Sequence, residues 1–137
     1  MIRRTFLALV AASALVPFAA QAGETIEYEP GVIQEALDRG ETVFVDYYTS
    51  WCSTCAAQER RIEALRAADP AYDAGLTFIK VDYDIYADHE VSTSRNIPRR
   101  STLIVLKGDD ELGRVIAQSS ERKVKGLMDA GLAAAGS

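Results

Sequence analysis

Cysteine is scarce in this chain: two residues in 137, Cys52 and Cys55, both within VDYYTSWCSTCAAQER at positions 45–60. A bridge between them would close so small a loop that it adds little cross-linking entropy, which excludes a disulfide framework and gives the pair a chemical purpose. Basic charge is also short. The chain has 15 Lys and Arg against 20 Asp and Glu; residues 1–22 hold Arg3 and Arg4 and no acid, so residues 23–137 carry 13 basic and 20 acidic groups, a net charge of −7. Nucleic-acid recognition needs a basic face and anionic membrane surfaces attract one, so neither is expected as a partner. Histidine occurs once, His89, in a polar stretch that reads as surface helix rather than as a ligand or base. There is no glycine pattern for nucleotide binding, no internal repeat and no low-complexity segment, apart from an Ala/Gly tail expected to fray.

A long hydrophobic run is missing too. Residues 6–20 are apolar, but a bilayer span needs ~20 such residues, and this run is Ala-rich and interrupted by Pro17. Arg3 and Arg4 precede it and Ala20-Gln21-Ala22, a small-x-small site, follows. Residues 1–22 therefore read as a signal peptide cleaved near Ala22, delivering residues 23–137 to the periplasm or the exterior. Arg3-Arg4-Thr5-Phe6-Leu7 is similar to the twin-arginine export pattern, so the general and twin-arginine routes both stay open. What remains is the size of one domain.

Within it, Glu29-Pro30-Gly31 opens a helix whose Val32, Ile33, Ala36 and Leu37 share a face, and Gly40 stops it. Residues 42–48 form a β-branched and aromatic run of strand length. Residues 52–68 read as a helix ended by Asp69-Pro70, and residues 76–82 as a second strand. Residues 84–97 leave room for one short helix. Residues 102–107 and 112–117 make a hairpin around Gly108-Asp109-Asp110. Ser119 or Ser120 caps a last helix with Val124, Leu127, Met128 and Leu132 at helical spacing. A β-α-β unit gives a parallel pair and the hairpin adds antiparallel strands, so the fold class is α/β: a mixed sheet flanked by helices on both faces.

Cys-x-x-Cys at the start of a helix, just after a strand, suits thiol chemistry. Unpaired N–H groups and the positive end of the helix dipole favour a thiolate at Cys52, below the free value of about 8.5. Cys55 sits one turn on, close enough to attack a mixed disulfide formed at Cys52. Cys52 is thus the nucleophile and Cys55 the resolver.

Several separated segments, in order, make residues 29–132 resemble the thioredoxin family. Trp51-Cys52-Ser53-Thr54-Cys55 is similar to the family's WCxxC site. Val45-Asp46-Tyr47 resembles the strand bearing its buried acid, and residues 76–82 the next core strand, with Lys80 where a lysine lies near that acid. Residues 101–107 resemble the strand after the family's cis-proline. The resemblance implies a protein thiol–disulfide oxidoreductase with a redox-active Cys52–Cys55 disulfide, no other cofactor, and protein thiols and disulfides as substrates. It also implies a membrane-embedded thiol donor if the protein is a reductant; a monomer is expected. Trp51, Ser101 and Thr102 fall where the family meets its substrate. A buried Asp46 has a raised pKa and can take the proton Cys55 must lose on resolving, against the plainer reading of a strand-end carboxylate in water. Lys80 either tunes Asp46 or is solvated at a strand edge.

Two departures matter. Ser53-Thr54 stands where thioredoxins usually have Gly-Pro; the hydroxyls either hydrogen-bond toward a thiolate or cap the helix. Ser101 takes the cis-proline position, with Pro98 three residues earlier, and Ser101 is expected in trans because a cis bond costs ~2.5–4 kcal/mol without proline. Arg99 and Arg100 beside it are either solvated or, Arg100 included, set to stabilise Cys52 or to meet an acidic partner. Losing the proline keeps a second function open, a soft-metal module holding Cu(I) or Zn(II). Two cysteines do not complete a tetrahedral zinc site, so no metal ligands are assigned.

Overall fold

The computed structural model describes residues 23–136; the proposed signal peptide lies outside the described residues. In chain order the elements are β1 (Thr25–Glu27), α1 (Val32–Asp38), β2 (Thr42–Tyr48), α2 (Ser53–Ala68), α3 (Ala71–Gly75), β3 (Thr77–Asp82), α4 (Tyr83–Tyr86), α5 (Glu90–Thr93), β4 (Thr102–Lys107), β5 (Asp110–Ile116) and α6 (Glu121–Ala135). They form a five-stranded sheet in the order β1-β3-β2-β4-β5. β3 is parallel to both β1 and β2, while β2–β4 and β4–β5 are antiparallel.

β2 lies at the centre, which its run of Val, Phe and Tyr requires: strands covered on both faces read as near-continuous apolar runs. Its alternation sorts the core into two layers. Val43, Val45 and Tyr47 face a cluster with Ile33, Ala36 and Leu37 of α1. Phe44 faces the other way, toward Ile62 and Leu65 of α2 and Val124, Leu127 and Met128 of α6. By the same period Asp46 lies on the Phe44 side, under α2. Where α6 crosses the sheet, Gly131 has no room for a side chain: a Cβ there would come within 2.9 Å of Leu76 and Val105.

The structure departs from the sequence reading in four places. β1 and α3 were not anticipated, being a fully exposed three-residue strand and a five-residue helix started by Pro70. Residues 83–93 hold two short helices rather than one. β5 begins at Asp110, next to the two-residue turn, because its pairing with β4 is maintained through a bulge at Val105/Leu106. The Ala-rich tail, expected outside regular structure, is helical and completes α6 through Ala135. Of the two candidate caps for that helix, Ser120 is used, accepting from the N–H of Lys123 at 3.3 Å. His89 caps α5, its Nδ1 accepting from the N–H of Val91 at 3.1 Å.

Candidate active site

β2 delivers the chain to Thr49, and a tight turn, in which the N–H of Cys52 reaches the Thr49 carbonyl, brings it to α2. Cys52 is the N-cap: its sulfur accepts from the N–H of Cys55 at 3.1 Å. The cap role open to Ser53 and Thr54 is therefore taken by the cysteine itself. Both cysteines are buried and joined as a disulfide, with Cα atoms 5.2 Å apart. Ser53 is exposed and Thr54 half-buried, and neither hydroxyl bonds a sulfur.

The hydroxyl that meets the sulfurs is distant in sequence and comes from the residue before the neighbouring strand β4. The β2–β4 register pairs Tyr47 with Thr102, which sets residue 101 beside the β2 exit. Ser101 is fully buried, and its Oγ lies 3.1 Å from Cys52 Sγ and 3.2 Å from Cys55 Sγ. Its backbone has a left-handed φ of 63°. Three bonds hold it there: its N–H donates to the Tyr47 carbonyl at 2.8 Å, and its carbonyl accepts from the Ala117 N–H at 2.9 Å and from Gln58 Nε2 at 3.0 Å. No peptide bond among the described residues is cis, as expected for Ser101. Pro98 is exposed, so Ser101 alone occupies the position facing the cysteines. Thr102 is also buried, its hydroxyl donating to the Arg99 carbonyl at 2.7 Å.

Trp51 forms the exposed rim, 61% accessible. Its indole N–H donates to Asp84 at 2.8 Å and the Arg100 guanidinium lies 4.2 Å above its ring. Arg99 turns back to the Arg100 carbonyl at 3.0 Å. Neither arginine hydrogen-bonds a sulfur; Arg100 extends the rim.

Asp46, Glu59 and Lys80 share a cleft of about 240 Å³ with Cys52 and Cys55. Asp46 is 5% exposed, and its Oδ1 has no hydrogen-bond partner. Burial pushes its carboxyl up to about 7; Lys80 pulls it down, and Glu59 and Glu27 push it up. Asp46 is buried, so the plainer reading of a solvated strand-end carboxylate does not hold. Lys80 donates to Glu59 at 2.8 Å and stands 4.1 Å over the Tyr48 ring. Burial disfavours its ammonium, but the Glu59 bond and the charges of Glu59, Asp46 and Glu27 outweigh this and raise its pKa. Such a site can hold a thiolate at a helix start, resolve it with a second thiol, and accept the resolving proton on a carboxylate that titrates near neutrality. Among the described residues no three His, Cys, Asp or Glu side chains gather as a metal site.

Two contributors escaped the sequence reading. Gln58 is fully buried and ties α2 to the Ser101 and Gln118 carbonyls, both at 3.0 Å. Its signal was present: a lone amide in the buried stripe Cys55, Gln58, Ile62, Leu65. Glu59, the partner of Lys80, lies one turn after Cys55 and gave no such signal.

Residues 25–130 match the family model described as Thioredoxin. The crystal structure of Trxlp from Edwardsiella tarda is similar, with 30% identity, a TM-score of 0.64, and coverage of 77% of this chain and 96% of that one. The oxidised thioredoxin of Plasmodium falciparum shares the fold at 22% identity, with a TM-score of 0.63 and coverage of 77% and 96%. Among curated proteins, the chain is 27% identical over 97 residues to a thioredoxin of Echinococcus granulosus, covering 70% of this chain and 84% of that protein. It is 28% identical over 124 residues to the thiol:disulfide interchange protein DsbD of Pseudomonas sp. (strain JR1 / K1), covering 87% of this chain but only 20% of that relative's length.

Proposed function

We propose, for a chain that belongs to the thioredoxin family and is a thiol–disulfide oxidoreductase, the more specific role of an exported reductant of protein disulfides. The observation that carries this reading is Asp46: a buried carboxyl titrating near 7 in the cleft of the two cysteines. Reduction of a client needs Cys55 to lose its proton, and a nearby base with that affinity suits the task.

The sequence of steps follows from the geometry. The Cys52 thiolate, favoured by the Cys55 N–H and the start of α2, attacks one sulfur of a client disulfide, and the other client sulfur leaves as a thiolate. Asp46 takes the Cys55 proton. Cys55 then attacks Cys52 Sγ, forming the Cys52–Cys55 disulfide and releasing the second client thiolate. The client gains two electrons and the cysteine pair loses two. A donor dithiol reverses the change on the protein, and the family resemblance implies a membrane-embedded one. Trp51 and Arg100, with the 101–102 backbone behind them, form the wall against which a client lies, and the protein acts as a monomer. Residues 1–22 direct it to the periplasm or exterior, a reading that rests on their sequence alone.

The test is insulin reduction by residues 23–137 with dithiothreitol as donor. The wild type accelerates it, Cys52→Ser abolishes the acceleration, and Cys55→Ser accumulates a mixed disulfide. No acceleration by the wild type would overturn the reductase reading. Export is tested separately, by fusing residues 1–22 to a reporter active only outside the cytoplasm; Arg3→Lys with Arg4→Lys blocks a twin-arginine route and spares the general one.

A further inference from the structure

We propose that Ser101 is a catalytic residue of the exchange reaction, its hydroxyl serving as the hydrogen-bond donor for both thiolates in turn. The inference deepens the oxidoreductase reading and rests on the dithiol being redox-active, though not on the direction of electron flow.

The Ser101 Oγ stands between the two reacting atoms, 3.1 Å from Cys52 Sγ and 3.2 Å from Cys55 Sγ. It makes no other side-chain hydrogen bond, so its one proton is free to turn to either sulfur. A disulfide sulfur is a weak acceptor, whereas a bond to an ionised acceptor is roughly twice as strong as a neutral one. The hydroxyl therefore favours the reduced, ionised state over the disulfide. Ser101 is also fully buried, where such a bond meets little competition from water.

The backbone supports the same conclusion. At φ 63° a glycine would sit at ease, but a serine sits in a sparsely populated region. The bonds to Tyr47, Ala117 and Gln58 hold it there. Their combined effect is to fix the hydroxyl over the sulfurs, a placement that glycine could not supply.

The charge moves during exchange, and the hydroxyl can follow it without moving its oxygen. In the free reduced protein, negative charge sits on Cys52, and Oγ–H points there. Once Cys52 is bound to the client, it is neutral and the charge appears on Cys55 as its proton passes to Asp46. The same proton donor then turns toward Cys55. When Cys55 bonds Cys52, the client sulfur leaves with the electron pair, and the hydroxyl again bridges two neutral sulfurs, as in this structure.

The experiment compares Ser101→Ala and Ser101→Gly with the wild type. The readouts are the Cys52 pKa, from thiolate ultraviolet absorbance, and the equilibrium with glutathione. Alanine removes the hydroxyl and keeps the backbone demand; glycine removes both, so it folds without the demand even where alanine does not. Both variants should raise the Cys52 pKa and shift the glutathione equilibrium toward the disulfide by roughly tenfold, which corresponds to a potential about 30 mV more negative. An unchanged pKa and potential in glycine would overturn the proposal, whether or not alanine folds. Neither readout uses a protein client, so a wild type that failed to reduce insulin would sink the reductase reading and leave this test standing.

Discussion

Asp46 and Lys80 are direct partners across the β2–β3 register, yet the Lys80 ammonium bonds Glu59 at 2.8 Å and forms no ion pair with Asp46. The lysine charge moderates the aspartate without fixing it in the ionised form. Burial prevails, and the carboxyl titrates at about 7.

The kinetic consequence is specific to one step. Asp46→Asn should slow resolution of the mixed disulfide by roughly 10²-fold or more, the scale of positioned general-base catalysis. The inflection near pH 7 in the resolution rate should vanish with it. Stopped-flow measurement across pH checks this, with Cys52 alkylation retained as the control; equal rates at every pH would remove Asp46 from the mechanism.

The same group has the opposite effect on stability. Its folded pKa, about 7, lies above the unfolded value of about 3.9, so between those values the folded state holds a proton that the unfolded state has lost. Stability therefore falls as pH rises through that window and levels off above it. Three units correspond to roughly 4 kcal/mol as an upper figure. Asp46→Asn should be near neutral for stability at about pH 4 and stabilising by up to about that amount above pH 8, as urea unfolding at both pH values would reveal.

Gln58→Met puts an apolar side chain of similar length in the α2 stripe and removes both amide bonds to the Ser101 and Gln118 carbonyls. The loss should cost about 0.5–1.5 kcal/mol in urea unfolding, the net worth of an ordinary hydrogen bond, because the Ser101 carbonyl keeps the Ala117 N–H and the Gln118 carbonyl belongs to an exposed residue. With Ser101 less firmly held, the Cys52 thiolate fraction should fall as well. A stable variant with an unaltered Cys52 pKa would show that Gln58 does not position Ser101.

Arg100→Ala should separate the rim from the chemistry. Its contact with a Trp51 ring that is 61% exposed contributes about 0.5–1 kcal/mol at most. Stability and the Cys52 pKa should thus change little, while KM for an acidic protein client rises several-fold and loses part of its salt dependence. A shifted Cys52 pKa would instead place Arg100 among the groups that stabilise the thiolate.

Much of this site was legible in the sequence because local physics dictates it. The β-branched and aromatic run 42–48 marked a strand, the cysteines just after it marked a helix start, and an acid within the run left Asp46 open between water and burial, which the fold resolves as burial. β1 was hidden because Thr25, Ile26 and Glu27 are all exposed and become a strand only by pairing with β3. The hydroxyl at the sulfurs was hidden for another reason. Ser53 and Thr54 are adjacent in sequence but helix geometry turns them away, while Ser101, 49 residues from Cys52, arrives through the β2–β4 register and a left-handed φ. Sequence placed Ser101 at the site; only the fold shows which atoms it meets.

The most direct test of the central claim is the equilibrium reduction potential of Cys52–Cys55 in residues 23–137, measured against glutathione on protein confirmed metal-free. A reductant gives a value on the thioredoxin side, nearer about −270 mV. A value near about −120 mV, that of a strong oxidant, would contradict the account and reverse the direction of electron flow.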